Sequence, residues 1–128
     1  MARRLALTLL SETLAVCRLA PEAPLPPWAT VEGFLSVTRT AEELSVVTAE
    51  SQVPPHVECE RGLRALKAEG SFDFSQVGIL VAILNPLAEA GISIFAVSTY
   101  DTDYVLVREP ELAPALAVLR AAGHSIRE

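Results

Sequence analysis

Residues 75–107 read SQVGILVAILNPLAEAGISIFAVSTYDTDYVLV, and two periodicities meet inside this stretch. Ile79, Ile83 and Leu87 recur every four residues, with Leu80 and Leu84 beside them, the stripe of a helix buried on one side. Ser75 can cap this helix, predicted from about residue 76 to 90, because its hydroxyl oxygen can accept from an unpaired first-turn amide. Gly91 stands where a left-handed residue commonly ends a helix. Pro86 removes an amide from the interior and predicts a kink or a break there. After Gly91, Ile92 to Val97 and Tyr104 to Val107 read as strands, joined by the polar loop Ser98 to Asp103.

Outward from this stretch, Pro110 opens a last helix with Leu112, Leu116 and Leu119 inward and Gly123 as its stop. Ser125 to Arg127 can add a short final strand. On the other side, Gly62 to Ala68 is compatible with a strand, while Leu63, Ala65 and Leu66 leave a helix open. The resulting order, strand-helix-strand-strand-helix-strand, is the βαββαβ order of a ferredoxin-like α+β fold.

The first half reads as a worn copy of the second. Leu5 to Leu10 and Leu14 to Leu19 are strand-like, and Ser11-Glu12-Thr13 between them suits a tight turn. Pro21, Pro24, Pro26 and Pro27 then exclude a regular helix. Phe34 to Thr40 and Leu44 to Thr48 form a second predicted hairpin, turning at Ala41-Glu42-Glu43. At an offset of sixty positions, Val37-Thr38 falls on Val97-Ser98, and residues 44–47 fall on 104–107. The expectation is a tandem of two such units, residues 1–61 and 62–128, the first degenerate.

Bulk composition narrows the function classes. The 128 residues are 51% apolar and 20% charged, so the chain folds and can hold one domain or two small ones. A formal net charge of −6 repels nucleic-acid phosphate and anionic lipid, so neither is an expected partner. Cys17 and Cys59 form no CxxC pair and read as reduced thiols of an intracellular protein. His56 and His124 lack ligand spacing, so no metal or other cofactor is expected. Met1-Ala2-Arg3-Arg4 followed by the six-residue run Leu5 to Leu10 is too short for a secretory signal, and no run approaches the ~20 apolar residues that span a bilayer. The expected location is the cytoplasm.

The stretches Phe72-Asp73-Phe74-Ser75-Gln76-Val77-Gly78-Ile79-Leu80 and Leu87-Ala88-Glu89-Ala90-Gly91-Ile92-Ser93-Ile94 resemble an ACT domain. Residues 98–107, and earlier Phe34 to Thr40 with Glu43 to Val47, resemble the branch that holds the CASTOR arginine sensors and small bacterial proteins labelled aspartate-kinase-like. The resemblance covers nearly the whole chain. It implies paired ACT-like units, a homodimer, and a free amino acid bound at an ACT–ACT interface. In aspartate kinases such units are regulatory. This chain has neither the length for a kinase domain nor a Gly-rich phosphate loop, so it resembles the sensor and is not expected to be an enzyme.

The resemblance places the ligand where the loop before the first helix meets the following strand and loop. The expected contacts are Ser75, Gln76, Val77, Gly78 and Ile79 with Ser98, Thr99, Tyr100, Asp101, Thr102 and Asp103. A helix N-terminus suits an α-carboxylate. Gly78, without a Cβ, lets a ligand approach the backbone. Asp103 matches the acidic position that meets the cationic end of arginine, Asp101 is a second carboxylate, and Tyr100 could stack on a guanidinium. The sequence departs from the sensor pattern at Thr102, where an aromatic residue is common, so arginine and lysine both stay open. Each residue also has a structural reading: Ser75 as a cap, Gly78 as a packing glycine, the aspartates as turn residues. Two rival functions remain, an ACT-fold interaction module without a ligand and a small hydrolase of the acylphosphatase kind. The hydrolase needs an Arg-bearing phosphate loop and a positioned Asn, yet the sole asparagine, Asn85, lies in the apolar helix.

Overall fold

A fourteen-residue strand opens the fold: β1, Ala6–Leu19, runs unbroken through Ser11-Glu12-Thr13, where the sequence predicts a turn. The polar interruption is answered from outside the strand. The Glu12 carboxylate accepts from the Phe34 amide at 3.4 Å, so the charge is used by a neighbouring loop and the strand does not turn. In the computed structural model residues 4–70 and 78–128 are described. The further strands are β2 Leu35–Arg39, β3 Leu44–Ala49, β4 Cys59–Ala68, β5 Phe95–Ser98, β6 Asp103–Arg108 and β7 Ser125–Arg127. Two helices, α1 Ile79–Glu89 and α2 Leu112–Ala121, join them, with short 3₁₀ turns at Pro27–Thr30, Glu50–Gln52 and Glu109–Glu111. Gly62 to Ala68, open between strand and helix in the sequence, is strand.

The chain divides into two compact units. One is split, residues 1–11 with 64–128, and the other is inserted, residues 12–63. This differs from a cut between residues 61 and 62, because the first eleven residues of the chain cluster with the C-terminal half. Both dividing points fall inside strands, β1 and β4.

In the split unit β4-α1-β5-β6-α2-β7 is the βαββαβ order, and β1 adds a strand before it. The hydrogen-bonded order is β7-β1-β4-β6-β5, with β7 parallel to β1 and β5 antiparallel to β6. Its core gathers Leu5 and Leu7 of the first strand region, Leu66 and Ala68 of β4, Ile79, Ile83 and Leu87 of α1, Val105 and Val107 of β6, and Ala115, Leu116 and Leu119 of α2. The helical stripe read from the sequence is thus the buried face of α1, with Leu80 and Leu84 partly buried beside it.

Pro86 lies within α1, and the helix continues through it. Proline has no amide to give the carbonyl four residues back, that of Ala82. His124 Nε2 takes that place at 2.9 Å, while its Nδ1 accepts from the Leu5 amide at 3.1 Å. The ring is buried, and both nitrogens are used in the neutral Nε2-protonated form. His124 is therefore a fastener that joins the residue before β1 and the α1 backbone to the turn after α2. Both helices end alike: Ile92 and Gly91 amides bond back to Leu87 and Ala88, and His124 and Gly123 amides to Leu119 and Arg120. Gly91 and Gly123, at φ +74° and +102°, supply the left-handed residue this closure requires.

The inserted unit has the hydrogen-bonded order β2-β3-β1-β4. Its smaller core holds Ala15, Cys17, Ala29, Leu44, Val46 and Val53. The proline-rich stretch forms a 3₁₀ turn at Pro27–Thr30, and the buried Thr48 hydroxyl ties it to β3 through the Ala29 carbonyl at 3.3 Å. No helix among the described residues is long and apolar enough to cross a membrane.

Candidate functional site

The β5–β6 hairpin fixes six of the eleven expected contact residues. Its register pairs Phe95 with Leu106 and Ser98 with Asp103, leaving Thr99 to Thr102 as the turn. The Thr99 amide donates to the Thr102 carbonyl at 2.8 Å. The Thr99 hydroxyl donates to the same carbonyl at 3.1 Å and accepts from the Thr102 amide at 3.2 Å. One threonine therefore closes the turn from both sides, and Tyr100 and Asp101 occupy its tip. Tyr100 is 80% exposed.

Thr102 and Ile79 differ from the sequence expectation. The Thr102 side chain points inward, 7% exposed, and its hydroxyl donates to the Ala68 carbonyl at 2.5 Å. That hydroxyl is committed to the end of β4 rather than to a ligand. Ile79, 5% exposed, has its side chain in the core of the split unit, so only its amide remains for recognition. Ser98 and Asp103 are brought together: the serine hydroxyl donates to Asp103 Oδ1 at 2.5 Å. Asp103 is half-buried and Asp101 exposed, and among the described residues neither pairs with a lysine or arginine.

The end of β4 is held from a second direction. The Thr8 hydroxyl donates to Glu69 Oε2 at 2.5 Å, and Lys67 lies 3.6 Å from Glu69 Oε1. The Thr8 hydrogen bond and the Lys67 charge hold the Glu69 carboxyl below its usual 4.5.

The α1 N-cap is Gly78, at φ +88°, and the helix begins at Ile79. The start lies three residues later than a Ser75 cap predicts. Ser75, Gln76 and Val77 themselves lie outside the described residues. A Cβ at Gly78 would meet open space, so its left-handed φ accounts for the glycine and close helix packing does not. Having no side chain, Gly78 leaves the first-turn amides without a cap from the N-cap position.

Two arrangements escaped sequence reasoning. The His124 bridge could have been sought from Pro86, which announces an orphaned carbonyl at Ala82. Thr8 and Glu69 carry no such signal, because sixty-one residues separate them. Among the described residues no three or more His, Cys, Asp or Glu side chains group as metal ligands would.

Comparison with known proteins agrees with this fold. The family model of the ACT domain matches residues 58–121, half of the chain, and a separate model of an N-terminal domain matches residues 12–56. The human CASTOR3P protein is 33% identical over 92 residues, covering 62% of this chain; the chain spans 56% of that relative's length. A crystallised protein of Agobacterium tumefaciens superposes with a TM-score of 0.92 at 38% identity, covering 98% of this chain and 93% of the other. The ligand-free regulatory subunit of aspartate kinase from Thermus thermophilus shares the fold, with a TM-score of 0.60, 12% identity, and coverage of 91% and 96%. With its antiparallel hairpins, its two helices and a family match over half its length, the chain belongs to the ACT domain family.

Proposed function

We propose that this chain is a non-catalytic regulatory protein that senses a free amino acid, held where the split units of two chains meet in a homodimer. The observation that carries the reading is the β5–β6 turn. It holds Asp101 and Asp103 without a cationic partner among the described residues, on a hairpin fastened to the end of β4. Two carboxylates on a rigid turn fit a guanidinium or ammonium side chain, so arginine or lysine is the ligand class. The first-turn amides of α1 are suited to the ligand's α-carboxylate. Ser98 fixes the Asp103 carboxyl by hydrogen bond and leaves Oδ2 for the ligand. On this reading the protein works in the cytoplasm, where free amino acids are its signal.

A thermal-shift screen against the twenty amino acids tests it. A ligand that binds only the folded state raises stability by about 2.7 kcal/mol at a hundredfold excess over its Kd. A selective rise with arginine or lysine, lost in Asp103→Ala while the unliganded melting temperature holds, is the expected result. Equal ligand shifts in parent and variant would remove Asp103 from the site.

The alternative, an ACT-fold interaction module without a ligand, is favoured by one observation. Strand β2 ends its sheet order, and Leu35 and Val37 are 41% and 42% exposed on one face of it. A flat amino-acid screen together with a concentration-dependent dimer in light scattering would put that reading first.

A further inference from the structure

Cys17 and Cys59 stand forty-two positions apart in sequence, and both lie in the inserted unit. The Arg18 amide bonds to the Glu58 carbonyl at 3.0 Å. At the far end of the same strand pair, the Glu69 amide bonds to the Ala6 carbonyl at 2.8 Å, so β1 and β4 run antiparallel. In an antiparallel ladder that Arg18–Glu58 bond makes Cys17 and Cys59 the adjacent, directly opposed pair without hydrogen bonds between its own backbone groups. Such pairs place Cα atoms about 4.5 Å apart with side chains on one face, inside the ~4.4–6.8 Å range that a disulfide spans. Both side chains belong to one apolar cluster, Cys17 within it and Cys59 packed against its edge. Both are free thiols.

We propose that Cys17 and Cys59 are a reversible cross-strand disulfide site, oxidised by exchange with a low-molecular-weight disulfide of the glutathione type. Cys59 is half-buried and Cys17 is 1% exposed, so Cys59 reacts first. Its thiolate attacks one sulfur of oxidised glutathione. The glutathione S–S bond breaks, a mixed disulfide forms on Cys59, and the departing glutathione thiolate takes up the proton Cys59 gave up. Cys17 Sγ then attacks Cys59 Sγ and displaces the second glutathione, which takes the Cys17 proton. Two protein thiols are oxidised and one small disulfide is reduced to two thiols. Burial and the neighbouring Cys59 push the Cys17 thiol up to about 11, so Cys17 does not attack first, and its step on the adjacent Cys59 sulfur is the slower of the two. This site is independent of the amino-acid reading, and its oxidation would staple β1 to β4 across the core of the inserted unit.

The test treats the reduced full chain with excess oxidised glutathione and reads the intact mass, followed by digestion without reductant. The expected product is lighter by two hydrogen atoms, carries a Cys17–Cys59 linked peptide pair, melts at a higher temperature and reverts with dithiothreitol. Cys17→Ser is expected to stop at one glutathione on Cys59, and Cys59→Ser to stay unmodified while folded, with circular dichroism showing that each variant keeps its sheet. A parent chain that ends as a stable glutathione adduct, as a Cys59-linked dimer or unmodified would overturn the proposal.

Discussion

The two hairpins, β2–β3 in the inserted unit and β5–β6 in the split unit, are the same device built twice. In the first, Arg39 pairs with Leu44; in the second, Ser98 pairs with Asp103, so each strand maps onto its counterpart at an offset of fifty-nine. The turns share three hydrogen bonds, and the first adds a fourth from the Glu42 amide to the Thr40 hydroxyl. The Thr40 amide donates to the Glu43 carbonyl at 2.9 Å, and the Thr40 hydroxyl accepts from the Glu43 amide at 3.1 Å, as Thr99 does with Thr102. What differs is everything the turn does not need. Ser98 and Asp103 stand where the first hairpin has Arg39 and Leu44, and Tyr100-Asp101 stands where it has Ala41-Glu42. Glu43 reaches outward to Arg18 at 3.8 Å, whereas Thr102 turns in to Ala68. The shared residues serve the fold, and the proposed ligand chemistry sits on the divergent ones.

The strand orders repeat as well. The inserted unit reads β2-β3-β1-β4 and the split unit β5-β6-β4-β7, with β1 interposed between the last two. The helices do not repeat. Residues 20–34, with Pro21, Pro24, Pro26 and Pro27, connect the first pair, and residues 69–94 connect the second. The shorter, proline-laden link permits one 3₁₀ turn where the longer one forms α1. Thr48, buried at the position equivalent to Val107, compensates by hydrogen-bonding that turn.

The largest expected effect tests which unit leans most on its core. Ile83→Ala, at a fully buried α1 position, should cost about 2–5 kcal/mol in urea denaturation. Val46→Ala in the smaller cluster should cost less, about 1.5–3 kcal/mol, since fewer methyl groups leave water-free surroundings. Equal losses would mean that the smaller cluster closes less well around the space left by the lost methyl groups.

His124→Ala should come next, at about 2 kcal/mol or more, because it strands the Leu5 amide and the Ala82 carbonyl together. Pro86→Ala sharpens this. Restoring an amide at position 86 gives Ala82 a partner within the helix, so His124→Ala should cost less in that background. A double-mutant cycle with no coupling would show that the histidine does not answer the proline.

These examples also show where the sequence was legible. The α1 stripe and both hairpins could be read because each depends on neighbours in the chain. The uninterrupted β1 could not, since Glu12 finds its partner at Phe34. The repeat was visible at an offset of sixty, but the pairing register sets it at fifty-nine, and one residue exchanges the faces of a strand. At the candidate site, the Ser98–Asp103 pairing follows from a hairpin and was accessible; the inward turn of Thr102 depends on Ala68, thirty-four residues away.

The proposed site yields a paired test on the divergent positions. Asp103→Asn should weaken binding of the amino acid found in the thermal screen by tenfold or more, since a charge-assisted hydrogen bond contributes about 1.5–3 kcal/mol. Glu42→Gln, at the tip of the sister hairpin, should leave affinity unchanged in calorimetry. Comparable losses in both would mean that the two turns share the ligand. The shared threonines form the next pair: Thr99→Ala and Thr40→Ala should each cost about 0.5–1.5 kcal/mol, and a large difference would separate turns that are built alike.

The smallest effect concerns a fastening with no counterpart among the bonds of the inserted unit, the Thr8 hydroxyl on Glu69. Its hydrogen bond, and secondarily Lys67, hold the Glu69 carboxyl below 4.5 in the folded chain. A carboxyl whose folded value is lowered adds stability while it is ionised in both states, above 4.5. That contribution fades as pH falls from 4.5 through the lower folded value, because the unfolded chain takes up its proton first. Glu69 is partly solvated, so the contribution is small. Thr8→Val should therefore move the Glu69 titration back toward 4.5, followed by NMR of its carboxyl carbon, and should lower stability at pH 6 slightly while leaving that at pH 2 nearly unchanged. A variant that loses as much at pH 2 as at pH 6 would show that Thr8 acts through strand packing and not through the charge it meets at the end of β4.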